Sequence, residues 1–176
     1  MSQYFAIIGK DDNPVYEAEF SGKLGPQGQI QGFPQDLKEL NPFILHASLD
    51  IIEDLQWQPN LSLQGGAAGS GGSGGFLRSR NNTNASNCYL GKVDHFYGII
   101  ITAYLTYSGM KFVMLHGNSV STTVQIDDNN VKSFYQDVHE LYTKTILNPF
   151  YNVGDPISSA SFDSRVRALA RKYLGK

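Results

Sequence analysis

The chain has one cysteine, one tryptophan and seven prolines among 176 residues, and only 17% of its residues are charged. A lone Cys88 rules out an internal disulfide, and its position suits a residue packed at the start of a strand. No apolar run approaches the roughly 18 residues needed to cross a bilayer. The apolar stretch 4–8 is too short for a signal peptide and has no basic region before it. Met1-Ser2 offers no myristoylation glycine. The formal net charge of −2 lacks the basic surface that nucleic-acid binding requires. The expectation is a soluble, cytosolic protein with one domain, large enough for a proper core.

Catalytic patterns are also missing. The four histidines, at 46, 95, 116 and 139, are dispersed, and none has a Cys, His or carboxylate partner at ligand spacing. They read as surface or half-buried residues. No Gly-Lys pair is followed by Ser or Thr, and there is no Gly-x-Ser-x-Gly elbow. The adjacent acids Glu53-Asp54 and Asp127-Asp128 fit helix ends better than a catalytic cleft. Gly69, Gly71 and Gly74 satisfy a dinucleotide-binding spacing, but no strand leads in and no helix follows. No enzyme activity, metal or cofactor is expected.

What is present is a set of short strands of two kinds. Residues 4–8, 99–105 and 112–115 are apolar on both faces, which calls for cover on both sides. Residues 15–20 alternate, with Glu17 and Glu19 opposite Tyr16, Ala18 and Phe20. Residues 89–94 carry Gly91, Lys92 and Asp94, the kind of residue that protects a sheet edge. The spacing therefore predicts a five-stranded sheet with an apolar centre and polar rims. Turn residues at Asp11-Asp12-Asn13-Pro14 and Ser108-Gly109 favour antiparallel pairing.

Three helices complete the order strand, strand, helix, three strands, two helices. The first is read with Asn41 as its N-cap and Pro42 in its first turn. Its buried stripe is Ile44, Ala47, Ile51 and Leu55, extended backwards by Leu37 and Leu40. The second follows the cap-rich run 127–130, buries Val131, Phe134, Val138, Leu141 and Thr145, and stops at Pro149. The third enters through serines 158, 159 and 161 and buries Phe162, Val166, Leu169, Ala170 and Tyr173. Two stretches break the pattern: 21–32, read as a flexible insert, and 59–87, a Gly/Ser/Asn-rich stretch read as a disordered loop.

One stripe resists a purely structural reading. Opposite the expected buried stripe of the first helix stand Glu39, Phe43, His46, Asp50, Glu53 and Trp57. A solvated stripe would be plain Glu and Lys. With Leu45, Leu49 and Ile52 beside it, the apolar arc is wider than one sheet face requires, as in helices that dock on a partner. The alternative for Trp57 is a return into the core near Pro59. Asn-Pro-Phe occurs at 41–43 and 148–150, both read as helix boundaries rather than linear ligands. The cations Arg165, Arg167, Arg171, Lys172 and Lys176 fit an anionic lipid, an acidic partner or a solvated helix end alike.

Four stretches carry a family resemblance: His46-Ala47-Ser48-Leu49-Asp50, Lys111-Phe112-Val113-Met114-Leu115-His116, Asn148-Pro149-Phe150-Tyr151 and Phe162-Asp163-Ser164-Arg165. Each is similar to sedlin, the small longin-like subunit of the TRAPP vesicle-tethering complexes, and the similarity spans the chain except for its two inserts. The Gly-rich insert looks like a fungal-type elaboration. The resemblance implies a longin/profilin-like α+β fold over 1–176, with one helix on one sheet face and two on the other. It implies a non-catalytic subunit that links core and complex-specific TRAPP subunits, supporting Rab activation and vesicle tethering in ER-to-Golgi and intra-Golgi transport. Rab GTPases would be met only through the assembly, and membranes of the cis-Golgi and ER–Golgi boundary only peripherally. The position matching Asp50 is also Asp in the sedlin pattern, so Phe43, His46, Asp50, Glu53 and Trp57 are the expected partner-binding residues. Rival readings are a longin-type SNARE, which would need a coiled coil and anchor, a small longin-type subunit of an adaptor coat complex, and a ligand-binding profilin-like domain.

Overall fold

The computed structural model describes residues 2–20, 33, 35–57, 88–117 and 126–175, with only the backbone of 35–37, 56 and 57. The two inserts expected at 21–32 and 59–87 lie outside the described residues. The elements are β1 (Ser2–Ile8), β2 (Pro14–Phe20), α1 (Gln35–Trp57), β3 (Tyr89–Phe96), β4 (Ile99–Leu105), β5 (Lys111–Gly117), α2 (Asp128–Ile146) and α3 (Ala160–Tyr173). The sheet runs β2-β1-β5-β4-β3, and every neighbouring pair is antiparallel.

The two-faced strands occupy the centre. In β5 all seven residues are buried. Phe112 and Met114 point toward α2 and α3, while Val113 and Leu115 point toward α1. This is the period-two geometry of a strand, here with both faces covered. The polar strands β2 and β3 form the rims. Register shifts and a left-handed Gly91 (φ 77°) distort β3. On the open side of β2, the Ile157 amide donates to the Val15 carbonyl at 2.8 Å. Further along, the Arg167 guanidinium donates to the Glu19 carbonyl at 3.2 Å. These contacts occupy backbone groups that would otherwise invite another strand.

The α2/α3 side is aromatic. Phe5 lies between Phe134, Phe20, Phe112 and Tyr16, with ring centroids 5.4–6.3 Å apart. Asp127 caps α2 by accepting from the amides of Asn129 and Asn130, and Ser159 caps α3 by accepting from Phe162, as the cap-rich runs predict. Two of the residues that α2 buries, Tyr135 and Tyr142, are absent from the predicted stripe. His116, read as a surface or half-buried histidine, is fully buried, with its Nε2 2.9 Å from the Thr102 hydroxyl.

The first helix departs most from expectation. It starts at Gln35, not after an Asn41 cap, so Pro42 sits inside it. Proline cannot donate to the carbonyl one turn earlier, a defect of about 3 kcal/mol in a helix interior. Two contacts anchor the start of the helix: Lys38 pairs with Glu19 of β2 at 2.9 Å, and Phe33, just before the helix, is packed so closely on Gly117 that a Cβ there would run into its ring. Asn41 is fully buried, and its amide has no hydrogen-bond partner among the described residues.

The buried side of α1 is also rotated relative to the expected stripe. Ile44, Leu45, Leu49 and Ile52 pack on the sheet, whereas Leu40, Ala47 and Ile51 are exposed. Both sets have helical spacing. The sheet takes Leu45, Leu49 and Ile52, which bury more apolar area together than a set containing Ala47.

Candidate functional site

That rotation creates an apolar outer lane on α1. At 3.6 residues per turn, Leu40, Phe43, Ala47 and Ile51 recur along one line of the helix. All four are exposed, and Phe43 keeps 72% of its surface in solvent. Beside this lane runs a polar one, Glu39, His46, Asp50 and Glu53, all exposed as well. Asp50 lies next to Phe43 at the crest, opposite the buried Ile52. Isolated apolar residues are ordinary on a surface, but four aligned on a helix are not.

Four of the five candidate residues, Phe43, His46, Asp50 and Glu53, therefore share one outward face. Trp57 closes the helix, and its side chain lies outside the described residues. Leu40, Ala47 and Ile51 join this face although the periodicity assigned them to the core. Their signal was the excess width of the apolar arc, since Leu45, Leu49 and Ile52 already suffice to cover one sheet face.

The electrostatics of the face are those of carboxylates with few cations nearby. The described part of α1 exposes Glu39, Asp50, Glu53 and Asp54, and its one lysine, Lys38, is engaged by Glu19. A rim of one charge around an apolar strip favours a partner of complementary charge and steers its approach.

Elsewhere polar clusters serve structure. A groove of 340 Å³ between β2 and the start of α3 is lined by Tyr16, Glu17, Ser159 and Asp163, among others. Along its lining the Tyr16 hydroxyl donates to Asp163 at 2.7 Å. Hydrogen bonds from Arg167 and Tyr16 hold the Asp163 carboxyl below its ordinary range, and burial pushes the Tyr16 hydroxyl up. Both groups thus stay in their ordinary charge states at neutral pH, bound to each other. Among the described residues no three His, Cys, Asp or Glu side chains converge as a metal site would need, and no helix is long and apolar enough to cross a membrane.

Comparison with known proteins adds to this geometry. The family model described as Sedlin matches residues 7–172. The chain is 70% identical to "Trafficking protein particle complex subunit 20" of Saccharomyces cerevisiae, with both chains covered in full. It is 38% identical to "Transport protein particle 20 kDa subunit" of Schizosaccharomyces pombe, covering 99% of this chain and 100% of that one. A third relative, "Probable trafficking protein particle complex subunit 2" of Drosophila melanogaster, is 28% identical over 97% of this chain and 96% of its own.

Proposed function

The chain belongs to the Sedlin family, and from that premise we propose that it is a non-catalytic subunit of a trafficking protein particle (TRAPP) complex. In this reading its work is assembly: it links the core of the complex to the larger subunits that distinguish its variants. Rab activation and vesicle tethering belong to the whole assembly, in ER-to-Golgi and intra-Golgi transport. The chain reaches cis-Golgi and ER–Golgi membranes as part of that complex.

The observation that carries the reading is the outer face of α1. An apolar lane containing a Phe43 that is 72% exposed, set beside Asp50 and Glu53, suits a protein partner. Aromatic anchors surrounded by a polar rim are where binding energy concentrates in protein interfaces. A linking subunit also needs each contact surface to be held rigidly, and α1 is seated on the sheet by Ile44, Leu45, Leu49 and Ile52. The names of the relatives supply the class of partner.

The test is affinity purification of the tagged chain from its native cytosol, with co-purifying proteins identified by mass. Recovery of other TRAPP subunits together with Rab-exchange activity supports the proposal. Recovery of coat subunits, or of the chain alone at monomer size, contradicts it.

A further inference from the structure

On the other side of the sheet from α1, two features are unused by this reading. The first is the connection between α2 and α3. Leu147, Phe150 and Val153 are 75%, 93% and 63% exposed there, although the backbone that carries them is pinned. Asn148 accepts from the Phe150 amide at 3.1 Å, and the Tyr151 amide donates to the Asn148 carbonyl at 3.0 Å. The Tyr151 hydroxyl donates to the Asp155 carbonyl at 2.7 Å. Asn13 donates to the Gly154 carbonyl at 3.0 Å, and the Ile157 amide ties the end of the segment to β2. A segment ordered in this way, yet holding three apolar side chains in water, presents those side chains to something else.

The second feature is the outer face of α3. Phe162, Val166 and Ala170 face the core, which leaves Arg165 and Lys172 on one flank of the exposed side and Arg167 and Arg171 on the other. Arg167 is paired with Asp163 at 2.8 Å, and Lys172 lies 3.8 Å from Asp137. Among the described residues Arg165 and Arg171 have no ion-pair partner. The two helix faces thus differ in charge: α1 exposes Glu39, Asp50, Glu53 and Asp54, while α3 exposes the unpaired Arg165 and Arg171, on a side of the sheet where α2 and the connection also expose Asp128, Glu140 and Asp155.

We propose that the α2–α3 connection and the outer face of α3 together bind an anionic lipid bilayer directly, with Phe150 and its apolar neighbours entering the headgroup boundary. A protein interface needs an apolar core, and between its cations the outer face of α3 offers only Ser161, Ser164 and Ala168. A charged lipid surface needs no such core on α3, because diffuse attraction to cations suffices and the apolar anchors come from the connection. The acidic α1 face is repelled by the same surface, so binding turns it away from the bilayer, toward the rest of an assembly. The inference does not depend on how α1 is used.

The test is flotation of the full chain with phosphatidylcholine vesicles, with and without phosphatidylserine. The chain is expected to partition onto phosphatidylserine vesicles at low salt and to be released as salt rises. Replacing Arg165 and Arg171 by Ala should reduce partition about thirtyfold, the equivalent of about 1 kcal/mol for each cation near the surface. Phe150→Ser should reduce it as well, while Asp50→Tyr should not. Melting temperatures should stay at the wild-type value, since all four positions are exposed. No binding to phosphatidylserine vesicles, or equal binding by the variants, overturns the proposal. So does a loss of co-purifying protein in the Arg165/Arg171 variant with vesicle binding unchanged, which would make the surface a protein contact.

Discussion

Thr102 and His116 meet on the α2 side of the sheet, 2.9 Å apart, with the Tyr135 hydroxyl 2.9 Å from the same Thr102 oxygen. Tyr135 also donates to the Thr102 carbonyl at 2.8 Å. The cluster joins β4, β5 and α2 through polar groups that are all buried. Burial, with a lesser contribution from Lys92, lowers the His116 pKa to about 4.

This gives stability a defined pH dependence. The unfolded chain protonates His116 near its ordinary pKa of about 6.5, but the folded chain resists until about pH 4. The unfolded state therefore binds more protons across that window. Stability is at its full value above it and falls by about 3 kcal/mol as pH drops through it. His139, whose pKa burial also lowers, acts in the same direction. Urea unfolding across the window should show this slope, and a His116→Gln variant, though less stable at neutral pH, should show less of it. Equal slopes in the two proteins would contradict the assignment.

Two adjacent isoleucines test how α1 is seated. Ile52 has no exposed surface, while Ile51 is on the outer face. Ile52→Ala should cost about 2–5 kcal/mol and Ile51→Ala less than about 1, as read by denaturant midpoints. The reverse order would restore the seating suggested by sequence periodicity.

Those isoleucines also mark the limit of what the sequence made legible. The division into central strands and rims could be read because Glu17, Glu19, Gly91, Lys92 and Asp94 cannot sit in the middle of a doubly covered sheet. The caps of α2 and α3 could be read because Asp127 and Ser159 satisfy free amides locally. The face of α1 could not, because two apolar stripes compete there and only the shape of the sheet decides between them. Pro42 misled for a related reason: a local rule for helix starts does not foresee a helix that begins at Gln35 and carries the proline in its interior. The outward placement of Phe43, His46, Asp50 and Glu53 could be read from their helical spacing, and a Phe in an outward stripe is what made them candidates. The exposure of Leu147, Phe150 and Val153 carried no periodic signal, since they lie in a connection between helices.

The open edge of β2 gives a further prediction. Arg167 holds Asp163 with one part of its guanidinium and the Glu19 carbonyl with another. Arg167→Ala should lower stability by no more than about 1 kcal/mol, because the ion pair is partly exposed. It should also free the Glu19 carbonyl and raise the tendency to self-associate, as read by light scattering on heating. Scattering identical to wild type would show that the guanidinium does not guard the edge.

The central claim, that the outer face of α1 binds the partner subunits, is tested most directly by the affinity of purified Phe43→Asp and Asp50→Tyr variants for the subunits recovered with the wild type. Each should bind at least about tenfold more weakly, the loss typical of an interface anchor. Each should also unfold within about 0.5 kcal/mol of wild type, because both positions are exposed. Wild-type affinity in both variants would contradict the account.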